Sequence, residues 1–295
     1  MKIIECVPNF SEGRNAETVD ALVRAVRAIP GVKLLDASAD PDHNRCVLTF
    51  IGKPDLIVDA AMAAAEEALQ RIDLSSHKGV HPRIGAVDVV PFIPFGDASM
   101  SDAVVMAHRF GQLYANKTNV PVYFYGEAAL KPERRQLPDI RRGGYEGLEK
   151  KLRDPNWLPD AGKPVFQPRW GATAVGARIP LIAYNINLNS TDLELARQIA
   201  CSVRESSGGF SAVKAIGLFL KSRNQVQVSM NLTDYRQTSL RQVYDFITAS
   251  ARDHGVEIDC SELIGLLPRE ALADVTPEYL KLEGFSEERI IETHF

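Results

Sequence analysis

The chain has 295 residues, of which 45% are hydrophobic and 24% are charged, and its formal net charge at pH 7 is −4. This composition is typical of a globular protein with two domains of common size, and the negative charge argues against a general nucleic-acid-binding protein. No apolar run is long enough to cross a bilayer. Glu5 and Pro8 interrupt the short apolar start of the chain, so the sequence predicts neither a membrane protein nor a secretory signal.

The four cysteines, Cys6, Cys46, Cys201 and Cys260, are far apart and include no C-x-x-C pair. Such spacing fits neither a zinc knuckle nor a compact disulfide framework. It predicts ordinary reduced thiols in a cytoplasmic protein.

The first half of the chain alternates between strand and helix patterns. KIIECVPNF predicts a strand, and a helical apolar spacing follows from Ser11 to about Ile29. VKLLDAS and RCVLTFIG predict two strands, a helix begins at Pro54, and AVDVVPFIPF predicts a closing strand. The predicted order is therefore strand, helix, strand, strand, helix, strand.

The second half repeats this order. PLIAYNINLN predicts a strand, and Ser190, Thr191 and Asp192 cap a helix to about Glu205. AVKAIGLFLK and QVQVSMNLT predict two strands, a helix follows from Ser239 to about His254, and VEIDCSELIGLLP predicts the last strand.

Residues 99–178 stand between the two patterns. MSDAVVMAHRFGQLYAN predicts a helix and VPVYFYG a short strand that continues the first sheet. The stretch from Lys131 to Trp170 is rich in Pro, Gly, Arg and Lys and is longer than a plain connection needs, which favours a functional loop or lid.

The fold class predicted is α/β (α+β), with two ferredoxin-like βαββαβ subdomains. We expect one subdomain at residues 1–178 and the other at residues 179–295. Each would have one sheet face covered by helices and one bare, and the economical arrangement places the two bare faces together with the helices outside.

SSHKGVHPRIGAVDVVPFIP contains two histidines, His77 and His81, at the spacing of a helical metal-binding pair. Gly79 weakens a helix there, and Pro82 biases His81 towards an extended backbone. The stretch therefore predicts a loop before a strand, and no metal site.

His81 is the first candidate for chemistry, because a histidine on such a loop can take and return a proton near neutral pH. The alternative is a surface histidine with a structural hydrogen bond. His43 has a similar claim, since Asp40, Asp42 and Arg45 surround it in the sequence.

FQPRWGATAVGAR places Trp170 beside Arg169 and close to Gly171 and Gly176. An aromatic ring next to a guanidinium suits a flat heteroaromatic ligand with anionic groups. Equally, Trp170 would serve as an anchor of the chain in a core. Basic clusters, Arg141 with Arg142 among them, suit a small polyanionic substrate, although such residues also decorate any solvated surface.

Several stretches together resemble glutamate formiminotransferase: ECVPNFSEGR, LTFIG, SSHKGVHPRIGAVDVVPFIP, YGEAA, PRWGATAVGAR and IAYNINL. The resemblance runs in the same order and spacing from about residue 2 to beyond residue 270. It implies two α/β subdomains with facing sheets, and transfer of a formimino group between N5 of tetrahydrofolate and L-glutamate in histidine breakdown.

The resemblance also implies roles for particular residues. His81, in the H-P-R motif, would be the catalytic acid and base. The folate-binding segment would be Gly162, Lys163, Pro164, Val165, Phe166, Gln167, Pro168, Arg169, Trp170 and Gly171. Tetrahydrofolate would be a co-substrate, and no metal would be needed.

Arg45, Arg83, His43 and Asp36 are further candidates, which would hold substrate carboxylates or support the site. The family's motif has an acidic residue where this chain has Ser38, with Asp36 and Asp40 on either side. Which carboxylate orients the catalytic histidine is therefore open at this point.

Two alternatives remain at the level of sequence. The same site would also accept a formyl group from 5-formyltetrahydrofolate, or the chain would bind folate without turnover. Animal members fuse this module to a cyclodeaminase domain, and we expect this chain to lack one. The family's habit predicts a homodimer, with folate and glutamate as its small-molecule ligands and no nucleic acid or membrane partner.

Overall fold

The structure is a computed structural model that describes residues 1–41, 43–79 and 82–295. The chain divides into two compact units, Met1–Arg178 and Ile179–Phe295. The elements of the first unit are β1 (Lys2–Cys6), β2 (Asn9–Phe10), α1 (Ala16–Arg27), β3 (Val32–Asp40), β4 (Arg45–Gly52), α2 (Pro54–Arg71), β5 (Val87–Gly96), α3 (Met100–Thr118), β6 (Val122–Gly126), α4 (Leu137–Arg141), α5 (Leu148–Leu152) and β7 (Thr173–Ala177).

The centre of the first sheet is an interrupted strand. β1 and β2 each pair antiparallel with both β4 and β5. Pro8, which has no N–H to donate to a ladder, lies between them. The single strand expected over residues 2–10 is therefore two strands in line.

The order β3-β4-β1/β2-β5 is that of a ferredoxin-like sheet, as predicted. Strands β7 and β6 extend it beyond β5 with parallel pairing, so VPVYFYG continues the first sheet as expected. β7 was not predicted, and it lies between β5 and β6. All five of its residues are buried, which is typical of a parallel strand covered on both faces.

The first helix begins later than expected. Asn15, not Ser11, caps α1 by accepting a hydrogen bond from the Thr18 backbone. The Ser11 hydroxyl instead donates to the Gly85 carbonyl at 2.7 Å. This bond ties the start of the chain to the loop before β5.

One face of the first sheet packs against α1, α2 and α3 in a large apolar core. We expected the other face to be bare, but half of it is covered. Over β5, β6 and β7 lies a second, smaller apolar cluster: Ile84, Val89, Tyr123, Tyr125, Ile140, Leu148, Leu152, Ala172 and Ala174. The stretch from Lys131 to Trp170 thus contributes two short helices to a core.

A buried arginine anchors this stretch. Arg134 is 0% exposed, and its guanidinium binds the Asp160 carboxylate at 2.5 Å and the Leu158 carbonyl at 2.7 Å. Asp160 also accepts the Phe124 N–H of β6 at 2.8 Å. The ion pair therefore fastens the covering segment to the sheet edge.

The second unit is a complete ferredoxin-like fold. Its elements are β8 (Ile182–Leu188), α6 (Leu193–Val203), β9 (Val213–Leu220), β10 (Gln225–Leu232), α7 (Leu240–Asp253) and β11 (Ile258–Ile264). The sheet order is β11-β8-β10-β9, and all its pairings are antiparallel. Asp192, one of the three predicted cap residues, caps α6. Ser239, at the predicted start of the next helix, caps α7.

The second unit has a core of its own, built from residues between Ile182 and Ile290. After β11, the chain continues in turns and short 3-10 segments. Within the ranges that the structure describes in both units, no helix has the length and apolarity to span a membrane.

Candidate functional site

The predicted catalytic residue, His81, lies outside the described residues. The chain on either side of it is described, and the geometry of those flanks defines the candidate site. The flanks described below belong to the first unit.

On the amino-terminal flank, His77 is held by the turn that joins β3 to β4. Its Nε2 is 2.9 Å from the Asn44 carbonyl oxygen, and the Asn44 side chain donates to the Lys78 carbonyl at 3.1 Å. Burial lowers the pKa of His77 below its ordinary value, and the nearby Arg83 cation lowers it further, against the opposing effect of the bond to Asn44. The contact with the Asn44 carbonyl favours a structural role for His77.

Gly79 allows this close approach. A Cβ at Gly79 would lie 2.4 Å from the His43 carbonyl oxygen, well inside van der Waals contact. The loop before His81 thus lies against the β3–β4 turn, and any larger residue would push the two apart.

His43 and Asp40 form an oriented pair at that turn. The Asp40 carboxylate accepts the His43 backbone N–H at 2.9 Å and contacts His43 Nδ1 at 2.6 Å. A carboxylate at Nδ1 places the proton there and the lone pair on Nε2. Asp36 lies further along β3, opposite Thr49, so Asp40 is the carboxylate that orients a histidine in this turn.

On the carboxyl-terminal flank, Arg83 makes several contacts within the protein. Its Nη2 donates to the His77 carbonyl at 3.2 Å and to Glu146 at 3.1 Å, and the guanidinium lies 5.6 Å from the centre of the Tyr145 ring. Arg83 therefore connects the loop to residues 145 and 146, and its geometry favours the supporting role over carboxylate binding.

Residues 162–171, the predicted folate-binding segment, run beside the chain that follows His81. Gly85 and Gly171 form an antiparallel bridge. The Ala86 N–H donates to the Trp170 carbonyl at 3.0 Å, and the Ala172 N–H donates to the Ile84 carbonyl at 2.9 Å. The structure thus brings together two stretches that are far apart in sequence and were singled out independently.

The two glycines make this crossing possible. Gly171 has φ +67°, and a Cβ on it would lie 2.0 Å from the Ile84 carbonyl oxygen. A Cβ on Gly85 would lie 2.0 Å from the Ala172 carbonyl oxygen. Neither position tolerates a side chain while the bridge persists.

Trp170 serves as an anchor. Its indole N–H donates to the Leu69 carbonyl at 2.9 Å, and Arg169 donates to the next carbonyl, Gln70, at 3.0 Å. Both carbonyls belong to the last turn of α2. Of the two interpretations left open by the sequence, the geometry favours the anchor for Trp170.

The segment also has a continuous exposed stretch before Phe166. Residues 162–165 are exposed, and the half-buried Phe166 ring lies 5.5 Å from the Tyr145 ring, centre to centre. The Tyr145 hydroxyl donates to the Pro168 carbonyl. Tyr145 therefore links Arg83 to this segment, a connection that sequence spacing did not indicate.

A buried ion pair completes the site. Arg141, at the end of α4, binds the carboxylate of Asp88 in β5, and Asp88 is 2% exposed. Asp88 also accepts the Ile84 N–H at 2.7 Å. Arg142, its neighbour, is 79% exposed and pairs with Asp139, so Arg141 alone of this basic cluster belongs to the site.

The described chain on either side of His81 thus lies near two arginines, Arg83 and Arg141, and near the Tyr145 and Phe166 rings. Arginines suit carboxylates, and aromatic rings suit a flat ring system. Among the described residues, no three His, Cys, Asp or Glu side chains are grouped as a metal site. The arginines and aromatic rings of these described residues together suit a small anionic molecule that carries a flat ring system.

Comparison with known families agrees with this class. The model of the formiminotransferase domain's N-terminal subdomain matches residues 3–178, and the formiminotransferase domain model matches residues 183–293. The chain belongs to the formiminotransferase family.

Named relatives align along almost all of the chain. The glutamate formimidoyltransferase of Thermoplasma acidophilum is 43% identical over 99% of this chain and 97% of its own length. That of Streptococcus pyogenes serotype M1 is 42% identical over 99% of this chain and 98% of its own. The formimidoyltransferase-cyclodeaminase of Gallus gallus is 48% identical over 96% of this chain. The match covers only 53% of that longer relative, so the chain spans about half the length of the cyclodeaminase-bearing proteins.

Proposed function

We propose that this protein is a glutamate formimidoyltransferase, which moves a formimino group between N5 of tetrahydrofolate and the amine of L-glutamate. The observation that carries the proposal is the hydrogen-bonded crossing of residues 84–86 with residues 170–172. It sets the segment expected to bind folate beside the loop that carries His81. Two near-full-length relatives bear the name of this activity.

The reaction needs one proton removed and one supplied. The glutamate amine, mostly protonated at neutral pH, must lose a proton before its lone pair attacks the formimino carbon. A tetrahedral intermediate forms, and the bond from that carbon to N5 breaks as N5 takes a proton. We assign both transfers to His81, because an imidazole with an ordinary pKa of about 6.5 serves each direction.

Other residues bind and position the substrates. Residues 162–171 hold tetrahydrofolate, with Phe166 and Tyr145 offering ring surface. Arg45 binds a carboxylate, and Arg83 supports the loop. His43 is oriented by Asp40 and stands as the second candidate for proton transfer. Holding two substrates together supplies much of the remaining rate.

The two units correspond to the N-terminal and C-terminal formiminotransferase subdomains in this proposal. We place the protein in the cytoplasm, a choice that its four free thiols support, and we expect a homodimer. The proposed mechanism needs no metal, because both proton transfers are assigned to His81.

The test is glutamate-dependent transfer measured with 5-formimino- and 5-formyltetrahydrofolate as parallel donors. We expect formimino transfer by the wild type and its loss in His81→Ala, with folate affinity retained. Transfer from the formyl donor alone would rename the enzyme a formyltransferase. Tight folate binding without any transfer would make the protein a binding module.

The histidine variants assign the base. Transfer that survives in His81→Ala and disappears in His43→Ala would move the proton-transfer role to His43. A loss of folate affinity as large as the loss of turnover in His81→Ala would make His81 a binding or structural residue.

A further inference from the structure

The half-covered face of the first sheet carries charged residues at its centre. Cys46 of β4 pairs with Phe10 of β2, and Phe10 pairs with Val87 of β5; these three side chains lie in the core below. Arg45 and Asp88, each next to one of them in sequence, point to the opposite face. They lie on the two strands that flank β2, so two strand spacings, or about 10 Å, separate them.

Arg141 reaches the same place from above. The short helix α4 ends at Arg141, and the guanidinium binds Asp88 with only 16% of the side chain exposed. The Arg141 Nε is buried and has no hydrogen-bond partner in the described part of the chain. The contact with Asp88 therefore uses only part of the donor capacity of this guanidinium.

Asp88 is already committed to the protein. One carboxylate oxygen accepts the Ile84 N–H at 2.7 Å and the other contacts Arg141. Both oxygens of the Asp88 carboxylate are therefore engaged within the protein.

The charges agree with this geometry. Burial lowers the pKa of Arg45, and repulsion by Arg141 is the next contribution, ahead of the attraction by Asp88 and Asp40. The two cations are therefore close enough to repel each other, and a second carboxylate between them would relieve that repulsion.

We propose that Arg141 and Arg45 bind a substrate carboxylate above β2, and that Asp88 holds Arg141 in position for it. The inference rests on the proposed function for the source of that carboxylate, which is either free L-glutamate or the glutamate tail of the folate. Both present the same chemistry to the two arginines.

The test compares Arg141→Gln with its neighbour Arg142→Gln in the full chain. KM and kcat are measured for L-glutamate and for the folate donor separately. We expect Arg141→Gln to raise the KM of one of the two by about ten- to a hundredfold, with kcat within about threefold. Arg142→Gln, whose side chain is 79% exposed, should match the wild type.

The substrate whose KM rises identifies the source of the carboxylate. A rise for L-glutamate alone assigns the site to the amino acid, and a rise for the folate alone assigns it to the tail. KM values within about twofold of wild type for both substrates would overturn the proposal.

The double variant Arg141→Gln/Asp88→Asn guards against a purely structural effect, because it removes both buried charges while Asn keeps an acceptor for the Ile84 N–H. If Arg141 only neutralises Asp88, the double variant recovers the wild-type KM, and the proposal fails. If Arg141 binds substrate, the KM stays raised.

Binding is also measured directly, by calorimetry of the wild type and Arg141→Gln with L-glutamate and with 5-formyltetrahydrofolate. Affinity lost in Arg141→Gln supports the carboxylate site even if the wild type shows no transfer, in which case only the proposed function fails. Equal affinities in both proteins contradict the site.

Discussion

Arg134 fastens the covering segment to the edge of the first sheet. Its 0% exposed side chain binds Asp160 and the Leu158 and Asn156 carbonyls. Arg134→Met leaves Asp160 as an unpaired buried carboxylate, so we expect the free energy of unfolding to fall by about 3–5 kcal/mol. Denaturant titration measures the change.

The adjacent Arg135 provides the control for Arg134. Its side chain is 58% exposed and pairs with Glu127, and exposed ion pairs contribute less than about 1 kcal/mol. Equal losses in Arg134→Met and Arg135→Met would show that burial of the Arg134 pair has no special importance.

His77 makes the stability of the protein depend on pH. Its pKa in the folded protein lies below the ordinary 6.5, so between these two values the unfolded chain binds more protons than the folded one. The free energy of unfolding therefore decreases as pH falls through that window, and the loss is complete below the folded pKa.

His77→Gln keeps a donor for the Asn44 carbonyl but does not titrate. We expect the stability of this variant to decline less than that of the wild type between about pH 7 and about pH 5. Thermal unfolding across this range measures it, with the exposed His254→Gln as the control. An unchanged pH dependence in His77→Gln would contradict the assignment.

At the scale of elements, the Gly85–Gly171 bridge is the contact on which the site depends. In Gly171→Ala, the methyl group meets the Ile84 carbonyl oxygen at 2.0 Å, and the positive φ adds about 1–2 kcal/mol of strain. We expect a loss of stability well above that strain, together with weaker folate binding. Denaturation and folate titration are the two measurements.

Gly208→Ala separates the collision from the strain. Gly208 has φ +88° and nothing within 4 Å of its Cβ position, so only the backbone penalty applies there. If both variants lose similar stability and Gly171→Ala keeps its folate affinity, the bridge between the segments around Gly85 and Gly171 is not needed for the site.

The elements that the sequence predicted correctly are those with a clear period or cap. The capping boxes at Ser99 and Ser239 and the run of β-branched and aromatic residues in RCVLTFIG are local signals. The strand TAVGA has no such signal, because it consists mostly of small residues and is buried on both faces. The helices α4 and α5 have five residues each, too few for a helical period to show.

The candidate site was predictable only in part for a related reason. The segments flanking His81 and residues 162–171 were identified by motif, but their contact depends on β7 and on paired glycines. In the sequence, Asp88 is one polar residue within an apolar strand. Its burial is explained by Arg141, which ends α4 and binds it. Pairs of residues so far apart in the chain produce no recognisable periodic pattern in the sequence.

At the scale of the whole molecule, each unit has its own core. The apolar cluster of the second unit consists of described residues from Ile182 to Ile290, and its ferredoxin-like sheet is complete. We therefore expect residues 179–295, expressed alone, to unfold in one cooperative transition. Circular dichroism during denaturation tests this.

Ile186→Asp in the same fragment is the matched control, because Ile186 is 0% exposed in that core and a buried charge there should abolish the transition. A fragment without a cooperative transition, indistinguishable from Ile186→Asp, would show that the second unit does not fold by itself.

The order of strands in the first sheet also has a consequence for synthesis on the ribosome. β6 pairs with β7, which lies between it and β5 and is translated after the whole covering segment. While that segment is being synthesised, β5 and β6 both lack the strand that pairs with them in the final sheet. Parallel contacts between such distant parts of a chain form slowly, so we expect this edge of the sheet to close late. Residues 84–86 can bond to residues 170–172 only when the latter have emerged.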